Sequence, residues 1–525
     1  VVEPYLQQTD EHGTWILWEL DGQAGTNATV EWGCSPSLPQ RVTATHRQSV
    51  SETLMFEAHL EGLAPDTEYQ YRVVTAAGPS AVMGFRTLPE RSQERSVRFV
   101  AMADMQPMGP GPLLDRWRDM VEDGVLSLLT SEGRSASDLS AVLIAGDLVD
   151  AGGERDQWTT GFFPGLRLLG GHVSLWPVPG NHEYTGAARS HFFDYFKLPE
   201  NGAPALEAEH SWFQDVSNLR LIGLDSNGSY TNDSQLAWLD EVLAEACSED
   251  AVDFVIAQMH HPYRSELWPQ GELSWSAAVA RRLDDFVAHC EKPALHFFGH
   301  THGYNRGVSR DQAHLWLNVA SAAADIDYVG EFPNVDYTEM NVAYDEYGFV
   351  YGEATAGPSP TLRLRYISRG DARTKLANVQ RDEVTIRRHN TPPEKPMLPA
   401  ALGVIDPSCP TLPRGTFVDA DGDEFGASRL QVAASCTAFD SPLVDVWWQS
   451  RNVWDDADTM ASMDPERPAL NDLLESGSVY CYRTKVRDAA FAWSDWSEPR
   501  ELTASEAGAE APACPSVKPL VQVAP

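Results

Sequence analysis

Long apolar runs, basic residues and cysteine are what this sequence is short of, and each shortage excludes something. No stretch of 18 apolar residues occurs, so nothing reads as a membrane-spanning helix. Lys plus Arg number 39 against 76 Asp plus Glu, a formal charge of −37 spread along the chain. A surface that acidic repels polyphosphate backbones, which argues against nucleic acid as substrate or partner, and it suits a saline habitat. The seven cysteines include no C-x-x-C pair and none falls in the motifs described below, so metal chemistry here does not rest on thiolates. Neither an initiator Met nor a basic, apolar leader stands at Val1-Val2-Glu3-Pro4, the pattern expected of a mature or trimmed chain.

What is present is a repeated event. Five times a short apolar run stops on a metal-binding side chain: Ser96 to Asp104, Leu139 to Asp147, Leu175 to His182, Phe254 to His261 and Leu295 to His302. Runs of this length, rich in Val, Ile and Phe and followed by Gly, Asn or Pro, read as buried strands. Ligands of open α/β sheets collect outside the carboxyl ends of such strands. Asp104, Asp147, Asn181, His260, His300 and His302 offer hard oxygens and imidazoles, a mixture that suits Mn, Fe or Zn. Six donors are too many for one ion that keeps a position open for substrate, and suit two ions sharing a bridging carboxylate. Two ions about 3.5 to 4 Å apart activate a water and neutralise the oxygens of a phosphoryl group.

The motifs stand as Asp104-Met105-Gln106, Gly146-Asp147-Leu148-Val149-Asp150, Gly180-Asn181-His182-Glu183, Met259-His260-His261-Pro262 and Gly299-His300-Thr301-His302. In order and spacing they resemble the calcineurin-like metallophosphoesterases, over roughly residues 96 to 370. The resemblance implies a first ion on Asp104, Asp147 and His302, and a second on Asp147, Asn181, His260 and His300, with Asp147 as the bridge. Two positions depart from the pattern. Gln106 stands where the family has a ligand His, so the first ion loses an imidazole or accepts a weaker amide oxygen. Asp150 stands where the related purple acid phosphatases have an iron-binding Tyr, so no tyrosinate colour is expected.

His182 follows a ligand Asn, which aims it into the site as the candidate proton donor, with Glu183 placed to hold or tune its imidazole. The alternative for His182 is a hydrogen bond to phosphate or backbone. His260 rather than His261 fits the family's Met-His-x-Pro pattern, leaving His261 as a pocket residue. Tyr184, His191 and Tyr263 lie on loops after the motif strands and, with Glu183 and His261, are candidates for substrate contact.

At 525 residues the chain fits two or three domains. Residues 1–92 alternate with period two and carry Leu63-Ala64-Pro65-Asp66-Thr67-Glu68-Tyr69-Gln70-Tyr71, which looks like the tyrosine corner of a fibronectin-type sandwich. The opening Pro4-Tyr5-Leu6-Gln7 with Phe85-Arg86-Thr87 resembles the N-terminal domain of purple acid phosphatases. Residues 96–388 form the expected α/β phosphoesterase core, two sheets flanked by helices, with helical stretches at Ser234 to Ala246 and Ser276 to His289. A Pro-rich linker over His389 to Pro399 leads to a second all-β sandwich at 399–505, and 506–525 read as a loose tail. In that sandwich Trp493-Ser494-Asp495-Trp496-Ser497 matches the W-S-x-W-S box of cytokine-receptor fibronectin domains. Alternation places Arg483, Lys485 and Arg487 on one strand face, able to stack between Trp493 and Trp496. Asp419-Ala420-Asp421-Gly422-Asp423 lacks the glycine and glutamate spacing of a calcium loop and reads as an acidic turn.

Cys409, Cys436, Cys481 and Cys514 are expected to form two disulfides, with Cys436–Cys481 favoured. The ends of two helices could bring Cys247 and Cys290 together, and Cys34 is left over. These bridges point to a secreted or periplasmic protein. The expected function is hydrolysis of small phosphate esters, phosphomonoesters first, by a metal-bound hydroxide with His182 assisting the leaving group. Alternatives are a phosphodiesterase or triesterase of the same superfamily, or a surface adhesion or carbohydrate-binding protein with a relict metal core.

Overall fold

The structure, a computed structural model, describes residues 2–21, 27–48, 53–186, 190–400, 402–407, 410–462 and 473–505. Two compact units divide the chain: the first holds 1–306, 314–335 and 343–388, the second 307–313, 336–342 and 389–525.

Period-two alternation in the first 90 residues builds two facing sheets. One runs Val2–Gln7, Gly13–Asp21, Thr53–Glu61, Thr45–Gln48; the other runs Gln40–Thr43, Thr29–Gly33, Glu68–Thr75, with Met83–Arg86 beside the last. Leu6, Ile16, Trp18, Phe56, Tyr71, Val73 and Phe85 fill the space between them. The Tyr69 hydroxyl accepts the Ala64 N–H at 2.9 Å, which is the expected tyrosine corner. Polar contacts fasten this sandwich to the edge of the core: the Thr9 N–H donates to Ser174 Oγ at 2.8 Å and Gln7 Nε2 to the Leu175 carbonyl at 2.8 Å. Tyr71, whose ring belongs to the sandwich core, gives its hydroxyl proton to the Gly171 carbonyl at 2.9 Å.

All five apolar runs are strands, at Val97–Met102, Ala141–Ile144, Leu175–Pro177, Phe254–Gln258 and Ala294–Phe298. The first three lie parallel in one sheet, ordered Leu175–Pro177, Ala141–Ile144, Val97–Met102. That sheet continues antiparallel through Tyr347–Ala354, Thr361–Gly370 and the unanticipated Lys375–Arg387. The second sheet begins Ser211–Val216, Leu219–Leu224, Phe254–Gln258, Ala294–Phe298, His314–Asn318, the last four of these parallel. Phe99 of one sheet meets Phe297 of the other at 6.2 Å between ring centroids. Parallel strands buried on both faces need no polar alternation, which is why these runs are continuously apolar.

Helix Asp233–Ser248 starts where Asn232 Oδ1 accepts the Ser234 and Gln235 N–H groups at 3.0 and 3.2 Å. It buries Leu236, Leu239, Val242 and Leu243, the stripe of a 3.6-residue repeat. Helix Ser274–Cys290 buries Val279, Leu283, Phe286 and Val287 in the same way. Cys247 and Cys290, at their ends, form a disulfide with the Cα atoms 5.4 Å apart. Among the described residues no helix is long and apolar enough to cross a membrane.

The second unit contains a five-stranded sheet ordered Val404–Ile405, Arg500–Ala504, Val479–Asp488, Phe425–Ala433, Val444–Gln449. Leu430, Val432, Tyr482 and Leu502 pack together in its apolar core. The predicted ladder is present: Arg483 lies over Trp496 at 4.4 Å, Lys485 over Trp493 at 4.5 Å and Arg487 over Trp493 at 5.2 Å. Both serines of the box clamp the strand backbone: Ser497 Oγ accepts the Thr484 N–H at 3.0 Å and Ser494 Oγ the Val486 N–H at 3.1 Å. A second tyrosine corner, not foreseen, has the Tyr480 hydroxyl accepting the Glu475 N–H at 2.8 Å. In the acidic turn the Asp423 N–H closes on Asp419 Oδ1 at 2.9 Å. Cys436–Cys481 is a disulfide, Cys34 is free and exposed, and Cys409 and Cys514 lie outside the described residues.

Candidate metal centre

Each motif strand ends in an abrupt turn. Asp104, Gln106, Asp147 and His300 all have left-handed backbones, with φ of 60°, 40°, 54° and 72°. Such geometry costs a non-glycine residue about 1 to 3 kcal/mol and persists only where the surroundings over-determine it. Here neighbouring turns hold one another: the Asp104 N–H donates to the Gly146 carbonyl at 3.1 Å, Met105 to Asp147 at 3.0 Å, and Gly299 to His260 at 2.9 Å. The glycines before the ligands are required by close approach. A Cβ on Gly180 would collide with the Asp147 carboxylate, and one on Gly299 with that of Asp104.

Two groups of donors result. In the first, Asp104 is fully buried, accepts the His300 N–H at 3.1 and 3.2 Å, and lies 3.2 Å from His302 Nε2. His302 Nδ1 donates to the Asp325 carbonyl at 2.6 Å. In the second, His260 Nε2 lies 2.9 Å from Asn181 Oδ1 and 3.1 Å from Asp147 Oδ2, while Nδ1 donates to the Ala145 carbonyl at 2.9 Å. Donor atoms of Asp147, His260 and His300 lie within 4.8 Å of one another. Gln106 turns its amide N–H group, at 2.8 Å, onto Asp147 Oδ2. It therefore stands at the junction of the two groups as a donor to the carboxylate.

This chemistry fits metal ions. Because a backbone carbonyl consumes the Nδ1 proton of both His260 and His302, each neutral ring aims an Nε2 lone pair at carboxylate or amide oxygens, and acceptor faces acceptor. A cation at that point satisfies all of them. Protonation is one way: burial pushes both imidazoles down, but Asp147 outweighs it at His260 and Asp104 at His302, holding both up at about 9. A transition-metal ion is the other, and it serves both sides at once. His300 is kept neutral by burial and by His260, as a ligand must be.

His182 is half-exposed. Its Nδ1 donates to the Asp150 carbonyl at 2.6 Å, leaving Nε2, 3.9 Å from Asp147 Oδ2, toward the donors. The holder of this ring is therefore Asp150 and not Glu183 as expected. Glu183 is fully buried and accepts the backbone N–H groups of Gly180, Asp147, Leu148 and Val149 at 2.7, 2.9, 2.8 and 3.3 Å. With its carboxylate so engaged, Glu183 fastens two motif turns together and is not positioned for substrate.

Of the other substrate candidates, Tyr184 is exposed but its hydroxyl donates to buried Asp225 beside His210. His191 pairs with Asp194 at 3.0 Å. His261 bonds Ser226 Oγ at 2.9 Å, is kept neutral by burial and His260, and lies 4.5 Å from the His300 ring. Tyr263 packs on Trp316 at 5.3 Å. The structure thus brings His261 to the donors and turns His191 and Tyr263 to local packing. Residues not singled out from sequence include Asp325 and Asp327, which hold the His302 ring and N–H, and Trp268, 5.2 Å from the His300 ring. No motif marks them.

Comparison with known proteins agrees with the resemblance carried by the motifs. Residues 97–304 match the family model of calcineurin-like phosphoesterases, and residues 2–87 that of the purple acid phosphatase N-terminal domain. Two uncharacterized proteins of Mycobacterium tuberculosis, from strains CDC 1551 and H37Rv, are each 27% identical over 238 residues, 41% of this chain. The matched region spans 44% of the length of these curated relatives. Among solved structures, purple acid phosphatase PPD1 from yellow lupin seeds has a TM-score of 0.55 at 17% identity, covering 73% of each chain. PhoD has a TM-score of 0.56 at 11% identity, covering 74% of this chain and 90% of its own. At these identities the two structures establish the fold. The expected fold class and the disulfides Cys247–Cys290 and Cys436–Cys481 are borne out.

Proposed function

We propose that this chain, whose residues 97–304 carry a calcineurin-like phosphoesterase domain, is a metal-dependent phosphoric ester hydrolase acting first on phosphomonoesters. One observation carries the reading: Nε2 of His260 and of His302 face oxygen acceptors at 2.9 to 3.2 Å with their other nitrogens already committed. Asp104, Asp147 and His302 would hold one ion, and Asp147, Asn181, His260 and His300 a second. Ions bound there would supply a nucleophilic water at neutral pH and charge neutralisation of the phosphoryl oxygens. The protein's own part is to fix these donors in strained turns, to keep His300 neutral, and to present His182 Nε2. With Nδ1 bonded to Asp150, a protonated His182 has only its Nε2 proton to give to the leaving oxygen.

The N-terminal domain match supports the monoester preference. Asp150 supports a second reading, a diesterase, because its half-exposed carboxylate beside His182 penalises a dianionic monoester more than a monoanionic diester. We further propose that residues 1–92, 96–388 and 399–505 act as three domains, and that the protein works in an oxidising compartment, the latter supported by the two disulfides. Mono-, di- and triester substrates assayed with Mn, Fe and Zn, with and without chelator, test the whole. Turnover of monoesters, lost on chelation and lost in Asp147→Ala, is the expected result. Full activity in chelator, or a metal-loaded protein inert toward every ester, overturns it and leaves the binding-protein alternative.

A further inference from the structure

The loops that deliver the donors also deliver large apolar side chains to solvent. Met108, two residues past Gln106, is 63% exposed; Tyr184, two past His182, 39%; Trp268, 37%; and Tyr328, 59%. Single exposed hydrophobics need no explanation, but these four follow four different motif blocks. Trp268 is held in place: its ring lies 5.2 Å from the His300 ring, and its loop is tied to the last motif by Ser265 Oγ donating to Thr301 Oγ1 at 2.8 Å. Tyr184 is fixed too, through its hydroxyl to Asp225, with the tilted Tyr230 ring 6.0 Å away between centroids. Since that hydroxyl is committed, Tyr184 offers a ligand its ring. Tyr328 adjoins Asp327, which accepts the His302 N–H at 2.7 Å. Two acidic side chains stand in the same loops: that of Asp150 is 40% exposed, and that of Asp325 is 94% exposed with Arg116 3.5 Å away.

Resting on the phosphoesterase reading, we infer that Trp268 and Tyr184, with Met108 and Tyr328, form an apolar rim that selects esters of uncharged alcohols with an extended apolar body. An anionic leaving group, such as a nucleotide or a sugar bisphosphate, would meet the Asp150 carboxylate instead. The alcohol departs as the P–O bond breaks and takes its proton from the enzyme. The rim holds the alcohol's carbon skeleton and plays no part in that bond change.

The test is a series of n-alkyl phosphates from ethyl to octyl, or of n-alkyl methyl phosphates where diesters are the active class. Leaving-alcohol acidity is nearly constant along either series, so the chemical step is level and a trend reports contact with the chain. The expected result is a rise in kcat/KM of about two- to fourfold per methylene until the rim is covered. That slope should fall in Trp268→Ala and Tyr184→Ala and be largely retained in Trp268→Phe. The slope, unlike the absolute rate, is insensitive to a general loss of folded enzyme. A level series in an active wild type, or a slope unchanged in both alanine variants, overturns the inference while leaving the phosphoesterase reading intact. Failure to hydrolyse either series or any other phosphate ester overturns both.

Discussion

The carboxylate of Glu183 accepts the backbone N–H of Asp147 at 2.9 Å, so the residue after the proposed acid holds the proposed bridging ligand in its left-handed turn. Three further N–H groups close on the same carboxylate. Glu183→Gln keeps the shape but turns an amide donor against backbone donors. We expect a stability loss of about 3 kcal/mol or more, since each such bond contributes about 1.5 to 3 kcal/mol, together with reduced metal content. Denaturant unfolding and elemental analysis of the variant check this; wild-type values in both would show that the turns are held without Glu183.

Replacing His182 with Ala should slow alkyl phosphates by about 10²- to 10⁴-fold, the usual range for general acid catalysis. Nitrophenyl phosphate should suffer far less, because nitrophenolate leaves unprotonated. Steady-state kinetics on both substrates decide between acid and binding roles: equal losses would assign His182 to holding phosphate.

Gln106 lends Asp147 an N–H group where the family has a ligand imidazole. In Gln106→His that hydrogen bond gives way to a nitrogen donor for the first ion, which should then bind more tightly and resist dilute chelator. Metal titration of both proteins measures it, and identical first-site affinities would make Gln106 a bystander.

Burial pushes Lys485, in the Trp ladder, down from 10.5 to about 8. Because its folded value lies below its unfolded one, folding expels a proton between these values, and the stability of the second unit should rise as pH climbs from about 8 toward 10.5. Lys485→Met removes that slope. Thermal unfolding of both proteins from pH 7.5 to 10.5 should show wild type gaining on the variant as pH rises; a constant difference would mean the ladder tolerates the charge at no cost.

Much of the core was legible because its signals are local. Apolar runs ending on Asp, Asn or His mark strand and ligand within nine residues, and all five became strands within two residues of the expected starts. The helices at 234–246 and 276–289 were likewise found, each one to two residues longer at both ends. The clamp made by Glu183 was not legible, because its partners are main-chain N–H groups, which no side-chain pattern announces. Asp325 and Asp327 were invisible for a related reason: they reach His302 from a loop more than 20 residues later. The strand Lys375–Arg387 escaped because it is polar and only partly buried, held by its hairpin with Thr361–Gly370. The second tyrosine corner lacks the Pro and Thr that betrayed the first.

Gly180 leaves room for Asp147, and Gly299 for Asp104, each in a different block from its glycine. Damage therefore shows up away from the lesion. An alanine at 299 touches no proposed ion, yet displaces a carboxylate 195 residues earlier in the chain, and a compensating change would have to arise in the turn around Asp104. Blocks that shelter one another's side chains can be lost one at a time but regained only together. A homologue that keeps four of the five motifs is thus better read as having lost its metals than as being on the way to acquiring them.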